Sequence, residues 1–454
     1  MELLLSKIIF YINTNPDISR DFFISTMILL EKGSLKLRNA WAFYDWANSV
    51  YALVISSSIF PLYYGFLFPK ENPTINFLGF DVKNTALISF VTAFAFLTVA
   101  ILSPLLSGIA DYMGNKKRFM QFFCYLGALS CIGMYWFTAD NIYFGILCFY
   151  LGLIGFWGSL VFYNSYLPDI AFTDQQDKLS AKGYSLGYIG SVILLISCLF
   201  LILSKEGEEA LFMMRVSFVL TGIWWLVFSQ YTFYYLPLGN RKEGKISHHI
   251  LLNGFKELMK VQKELLEKIL LKRYLGAFFV YSMAVQTVML VATYFGEQEI
   301  NWTSDSQKTT GLIISILVIQ LVAVIGAILT SKLSEKIGNI KSLIIINIIW
   351  VFICIVAYFI YEPIHFYLTA GFVGLVMGGI QSLSRSTYSK LLPETNDTTS
   401  YFSFYDVAEK IGIVIGMLIY GMIDQITGSM RNSIVFLTLF FVVGIILLLR
   451  VPKK

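Results

Sequence analysis

The chain of 454 residues is 57% hydrophobic, 16% aromatic and only 14% charged, which leaves too few charges to cover a water-facing surface. A soluble protein is excluded, and a lipid bilayer is the expected environment. The net charge of +5 calls for no nucleic-acid partner, since no Lys/Arg patch with interleaved aromatics accompanies it.

Residues 1–38 hold two short apolar stretches, Leu3 to Phe10 and Phe22 to Leu30, broken at Asn13 to Pro16 and at Arg20-Asp21. They are too short to span and show no cleavable signal pattern, so they read as a cytoplasmic or interfacial extension, with Met27 as an alternative start. Apolar runs of bilayer-spanning length then fall at 40–66, 85–107, 119–138, 142–164, 184–204 and 215–236. A second set follows at 273–296, 309–331, 342–361, 365–389, 402–425 and 432–450. None alternates as a barrel strand would. The expected fold is an all-α membrane protein with twelve transmembrane helices as two six-helix pseudo-repeats. The first bundle covers 39–236 and the second 273–454.

At 100° per residue, Asp45, Asn48, Ser49 and Ser56 form one polar stripe on the first span. An ionisable group inside a span costs about 2.5–3.5 kcal/mol on insertion scales, so Asp45 needs a partner. It reads either as a cavity-lining carboxylate for substrate or proton, or as a packing and capping residue paired with a cation. The loop Gly108 to Arg118 recurs in worn form at Ser334 to Lys341, with Asp111, Gly114, Asn115 and Lys117 matching Glu335, Gly338, Asn339 and Lys341. Gly108 and Gly114 suit a tight turn, Asp111 suits a cap on the third span, and the basic triplet 116–118 holds the turn inside. Glycines 152, 155 and 158 on the fourth span, and 183, 187 and 190 on the fifth, predict close helix crossings. Tyr63, Tyr64, Trp302 and Tyr361 lie near predicted interfaces, as belt anchors would.

Residues 237–272 join the halves. Phe255, Leu258, Met259, Leu265, Leu266 and Ile269 recur at helical spacing against Lys256, Lys260, Lys263 and Lys268, which predicts an amphipathic surface helix or a merely solubilising linker. On the tenth span Gln381, Ser384, Arg385 and Tyr388 share one face below Gly374 and Gly378. Arg385 suits a bidentate grip on Asp45 or on a substrate carboxylate, or a latch near the inner surface. On the eleventh span Asp406, Glu409 and Lys410 fall within about 100°. Asp406 and Lys410 pair at i, i+4, and Glu409 is left as an extra carboxylate, for proton coupling or for a static cluster.

With both termini inside, inner loops and the span ends beside them hold 27 of the 34 Lys and Arg, and the positive-inside rule fixes that orientation in a cell (inner) membrane. The five cysteines lie in spans without paired spacing, and the three histidines lie in loops or at a helix end, so neither disulfides, a metal site nor a cofactor is expected. No phosphate-binding Gly-x-x-x-x-Gly-Lys-Ser/Thr loop occurs.

The Asp111 loop, set among twelve spans, resembles the signature loop of the major facilitator superfamily, which latches alternating conformations there. Tyr44-Asp-Trp-Ala-Asn-Ser49, Gly183-Tyr-Ser-Leu-Gly-Tyr-Ile-Gly190, Val285-Gln-Thr287 and Gly379-Ile-Gln-Ser-Leu-Ser-Arg385 together resemble the branch that includes the autophagy-associated vacuolar amino-acid effluxer and its bacterial relatives. The resemblance runs from about residue 36 to the C-terminus. Departures fall at Met283-Ala284, where some relatives carry an acidic residue and Gly, and at Ser403, Asp406 and Glu409, where many carry Gly and small polar residues. The resemblance implies amino-acid export.

The leading expectation is a monomeric secondary transporter, not an enzyme, that rocks two halves about a small-molecule solute, driven by protons or by the solute's own gradient. The alternatives are a membrane enzyme acting on lipid-linked substrates, with Asp45 and Glu409 as its acid/base pair, and a non-transporting sensor.

Overall fold

Inside a bilayer every backbone N–H and C=O must be satisfied within the protein, so long apolar runs fold as helices. A computed structural model describes residues 30–68, 74–77, 79–239 and 250–452; the expectations for residues 1–29 and for His248 and His249 lie outside them. The first span joins α-helix Leu35–Val50 to a π-helix, Tyr51–Ile59, and to α-helix Phe60–Phe66. The next five are Asn84–Met113, Lys116–Gly133, Ile142–Ser165, Gln176–Leu203 and Gly207–Tyr235. A linker helix, Ile250–Glu267, leads to the second six: Ile269–Glu299, Asp305–Ile337, Asn339–Tyr358, Pro363–Leu391, Thr398–Thr427 and Met430–Leu449. Eleven of these are long and apolar enough to cross a membrane. The remaining one, Thr398–Thr427, has the same length and carries Asp406, Glu409 and Lys410 in its first half. An antiparallel hairpin, Thr74–Phe77 with Phe80–Lys83, joins the first two spans.

The buried apolar side chains form two clusters. One is built mostly from the first six spans around Trp41, Tyr51, Phe60 and Trp225; the other comes mostly from the last six around Tyr274, Phe278, Trp350 and Phe441. Across the seam the second span packs on the eleventh and the fifth on the eighth. The loops after the second and eighth spans, the linker helix and the start of the first span share one side, called here the linker side.

Two local expectations are corrected. Tyr63 and Tyr64 are buried and anchor no belt: their hydroxyls donate inward to the carbonyls of Phe137 and Asn84. Ser56 leaves the Asp45 stripe and is exposed, because the wider turn of the π-helix shifts the phase of every residue after Val50. All five cysteines are free and buried.

Candidate functional site

The tenth span reaches the seam because its glycines admit the eighth: a Cβ at Gly374 or Gly378 would meet the carbonyl oxygens of Ile319 and Ala323. That approach sets Arg385, 1% exposed, against the first span. Its Nη2 donates to Asp45 Oδ2 at 3.1 Å and to the Ser180 carbonyl at 3.0 Å, while Nε donates to Ser180 Oγ at 2.9 Å and Nη1 to Asn164 Oδ1 at 3.2 Å. The guanidinium also lies over the rings of Trp41, Tyr163 and Tyr184. Asp45 accepts a second hydrogen bond from Tyr163 at 2.8 Å. Arg385 thus meets Asp45 through one nitrogen instead of a bidentate fork, because its other donors are committed to the fourth and fifth spans.

Asn48 and Ser49 lie one turn along, with Ser49 Oγ donating to Asn48 Oδ1 at 3.4 Å. The fifth span crosses here on Gly183, Gly187 and Gly190. A Cβ at Gly183 would sit 2.3 Å from Asp45 Oδ2, and one at Gly187 2.4 Å from Ser49 Oγ. The short Asp45 side chain, held from two directions, has no room to retreat. Gly183→Ala is therefore expected to destabilise the protein by about 1–3 kcal/mol, seen as a lower Tm in detergent; an unchanged Tm would show that the crossing tolerates a methyl group.

The rest of the tenth-span face divides. Gln381 accepts from Tyr188 of the fifth span at 2.7 Å, across the seam. Tyr388 turns away into its own half, donating to the Tyr401 carbonyl at 2.5 Å and packing on Tyr405. Ser384 also stays in that half, bonded to Tyr281.

On the eleventh span Lys410, 1% exposed, donates to Asp406 at 2.8 Å and to Glu409 at 2.9 Å, with its ammonium over the Trp157 ring. Glu409 is therefore no unpaired carboxylate: one ammonium bridges both acids, and Gln286 of the seventh span donates to Glu409 at 2.8 Å. Ser103 of the second span touches Asp406 at 3.4 Å, which ties the cluster to the opposite half. Lys410 also borders an open, nearly all apolar groove of about 930 Å³ in which Phe90, Phe94, Tyr143 and Ile411 are exposed.

The duplicated loop holds the seam on the linker side. Asp111 caps the eleventh span instead of the third: its carboxylate accepts the N–H groups of Thr399 (3.3 Å) and Ser400 (2.6 Å), at the positive end of that helix. Lys116 spans the same seam, donating to Thr398 Oγ at 3.0 Å and pairing with Asp169. Lys117 stays within its half on the Leu236 carbonyl. Gly114 takes φ 62° in a left-handed turn and Gly338 takes φ 87° with an extended ψ of 156°, both conformations that glycine admits without strain. Gly108 serves close approach and no turn: it lies near the end of helix Asn84–Met113, where a Cβ would meet the Gly254 carbonyl of the linker helix.

The second copy works differently. Among the described residues Glu335 pairs with Lys178, both well exposed, and a pair so exposed contributes about 0–1 kcal/mol. Its place is taken by Asp177 at the start of the fifth span, which accepts from Ser334 at 3.0 Å, Asn339 at 2.9 Å and Lys390 at 2.5 Å. Sequence reasoning missed Asp177, Asn164, Tyr163 and Ser180; the one available signal for Asp177 was an acid in the first turn of a helix. Lys260 of the linker helix adds a contact to Asp397 at 3.2 Å. Partial burial lowers its pKa, but the carboxylates of Glu257 and Asp397 outweigh this and hold its ammonium above the ordinary range. Among the described residues no group of three or more His, Cys, Asp or Glu is placed to hold a metal.

This seam joins two six-helix halves of a recognised kind. The family described as vacuole effluxer Atg22 like matches residues 34–454. An uncharacterised MFS-type transporter, YxiO of Bacillus subtilis, is 31% identical over 92% of this chain and 95% of its own. Autophagy-related protein 22 of Saccharomyces cerevisiae is 25% identical over 80% of this chain and 77% of its own. Among solved structures, the proton:xylose symporter XylE shares the fold with a TM-score of 0.70 at 14% identity, covering 92% of this chain and 95% of that one. The E. coli fucose:proton symporter FucP gives 0.67 at 15%, covering 92% and 98%. The enzyme and sensor readings fall away, and the chain belongs to the Atg22-like family of major facilitator superfamily transporters, multi-pass membrane proteins that carry small solutes.

Proposed function

We propose that the protein is a proton-coupled carrier of amino acids or small peptides, working by alternating access, with the linker side in the cytoplasm. The observation that carries this reading is the Asp45–Arg385 pair. It bridges the two halves, and the Asp111 and Asp177 contacts close the seam on the same side. A bundle closed in this way opens toward the linker side only by separating these pairs. The positive-inside count supports the orientation. Amino acids come from the Atg22 resemblance. The functional unit proposed is a monomer.

Glu409 is the proposed coupling group. Asp406, Glu409 and Lys410 together carry one net negative charge, and a proton on Glu409 makes the cluster neutral and less costly to bury. Because Asp406 touches Ser103 across the seam, that change reaches the contact between halves. The test is uptake and efflux of pooled amino acids and dipeptides in proteoliposomes, with and without a pH gradient. Gradient-driven movement in the wild type and its loss in Glu409→Gln is the expected result. Movement that ignores the gradient, or a variant that remains gradient-driven, removes the coupling role.

A further inference from the structure

The linker helix has two unlike faces. Gly254, Val261 and Leu265 are buried, and Gly254 packs so closely that a Cβ there would lie 2.6 Å from Ile109. This inner face bridges the halves: Asn253 donates to Tyr112 of the second span at 3.1 Å, and Glu264 accepts from Tyr401 of the eleventh at 2.8 Å. On the outer face Leu252, Phe255, Met259 and Leu266 are 61%, 52%, 48% and 53% exposed. At 100° per residue these four fall within an arc of about 60°, with Lys263, Lys256 and Lys260 following along one edge. The helix cannot roll to bury the stripe, because the Gly254 contact with the second span and the bonds to Tyr112 and Tyr401 would be lost.

We propose that this outer face docks on an anionic bilayer leaflet, with the apolar stripe in the acyl boundary and the lysine edge against lipid phosphates. Two observations favour a membrane over a soluble partner or a second copy. The helix lies against Gly108, Ile109 and Tyr112, the last turns of a span, which puts its stripe beside the end of a membrane-crossing helix. The charged border runs along one edge only; Glu267 lies within it and Lys260 is paired with Glu257 and Asp397, so Lys256 and Lys263 are the cations that meet lipid phosphates, as at an interface apolar on one side and anionic on the other.

The probe is an environment-sensitive fluorophore on Met259→Cys, with Leu266→Cys as a second position should the first fold poorly; the native cysteines are all buried and leave labelling specific. The full-length protein goes into vesicles with and without phosphatidylglycerol, both carrying a lipid quencher. Quenching is expected to rise with phosphatidylglycerol and to fall with salt. Lys256→Gln with Lys263→Gln is expected to weaken seating about thirtyfold, at about fivefold per lysine. A water-like, unquenched probe in every vesicle overturns the proposal, as does shielding that appears only at high protein density, which would identify a second copy. Equal quenching with and without anionic lipid overturns the charge half. None of these readouts depends on transport, so the failure of this inference and that of the carrier reading are separable.

Discussion

Arg385→Gln is expected to leave a carrier that opens on the linker side and transports at a small fraction of the wild-type rate. The guanidinium is fully buried and joins the first, fourth and fifth spans to the tenth through four hydrogen bonds. Its removal strands the Asp45 carboxylate with Tyr163 as its remaining donor among the described contacts. Removing one partner of a buried ion pair costs about 3–5 kcal/mol, and that cost falls on the closed arrangement, since opening lets water reach Asp45. The closed-to-open ratio should fall by about two to four decades. Labelling of Ser165→Cys, a buried position facing Thr399 across the seam, reads the opening directly and should quicken accordingly. Asp45→Asn alone should quicken it too, but the Asp45→Asn/Arg385→Gln double variant should fall well short of the summed effects, because neither charge is then left unpaired. Strictly additive effects would show that the two residues do not act as a pair.

Much of this arrangement was legible in the chain because it is local. Hydropathy sees helices one at a time, so the twelve spans, the linker helix and the left-handed glycine at 114 followed from composition and spacing. Asp45 was legible as a buried charge in need of a partner, and Arg385 as a cation able to meet it, with a substrate carboxylate or an inner-surface latch as the other readings. What failed depended on how helices are rotated against one another. Glu409 looked spare because i, i+4 spacing favours Asp406, yet the flexible Lys410 side chain reaches both acids and Gln286 approaches from another span. Gly108 looked like a turn residue because the linker helix it receives lies about 150 residues away in sequence. The phase of the first span was lost at Tyr51, where the π-helix replaces a period of 3.6 residues that the stripe argument takes for granted.

The duplication itself misled in one place, and there the largest contrast between two neighbouring acids is expected. Sequence alignment of the halves pairs Asp111 with Glu335, but Glu335 and its partner Lys178 are 40% and 68% exposed; such a pair contributes about 0–1 kcal/mol. Asp177 is 4% exposed and accepts from three donors on the second half, and charge-assisted hydrogen bonds contribute about 1.5–3 kcal/mol each. The first half therefore holds the linker side of the seam at two places, with one carboxylate at each. Asp111 reaches from the first half's loop to the backbone of the eleventh span, and Asp177 reaches from the fifth span to the second half's loop. Both acids belong to the first half, so the latch is symmetric in place and asymmetric in charge. Asp177→Asn and Asp111→Asn should each speed labelling of Ser165→Cys by one decade or more and together open the linker side outright, while Glu335→Gln should leave the labelling rate within about twofold. A Glu335→Gln effect as large as that of Asp177→Asn would return the latch to the duplicated loop and reduce Asp177 to a helix cap.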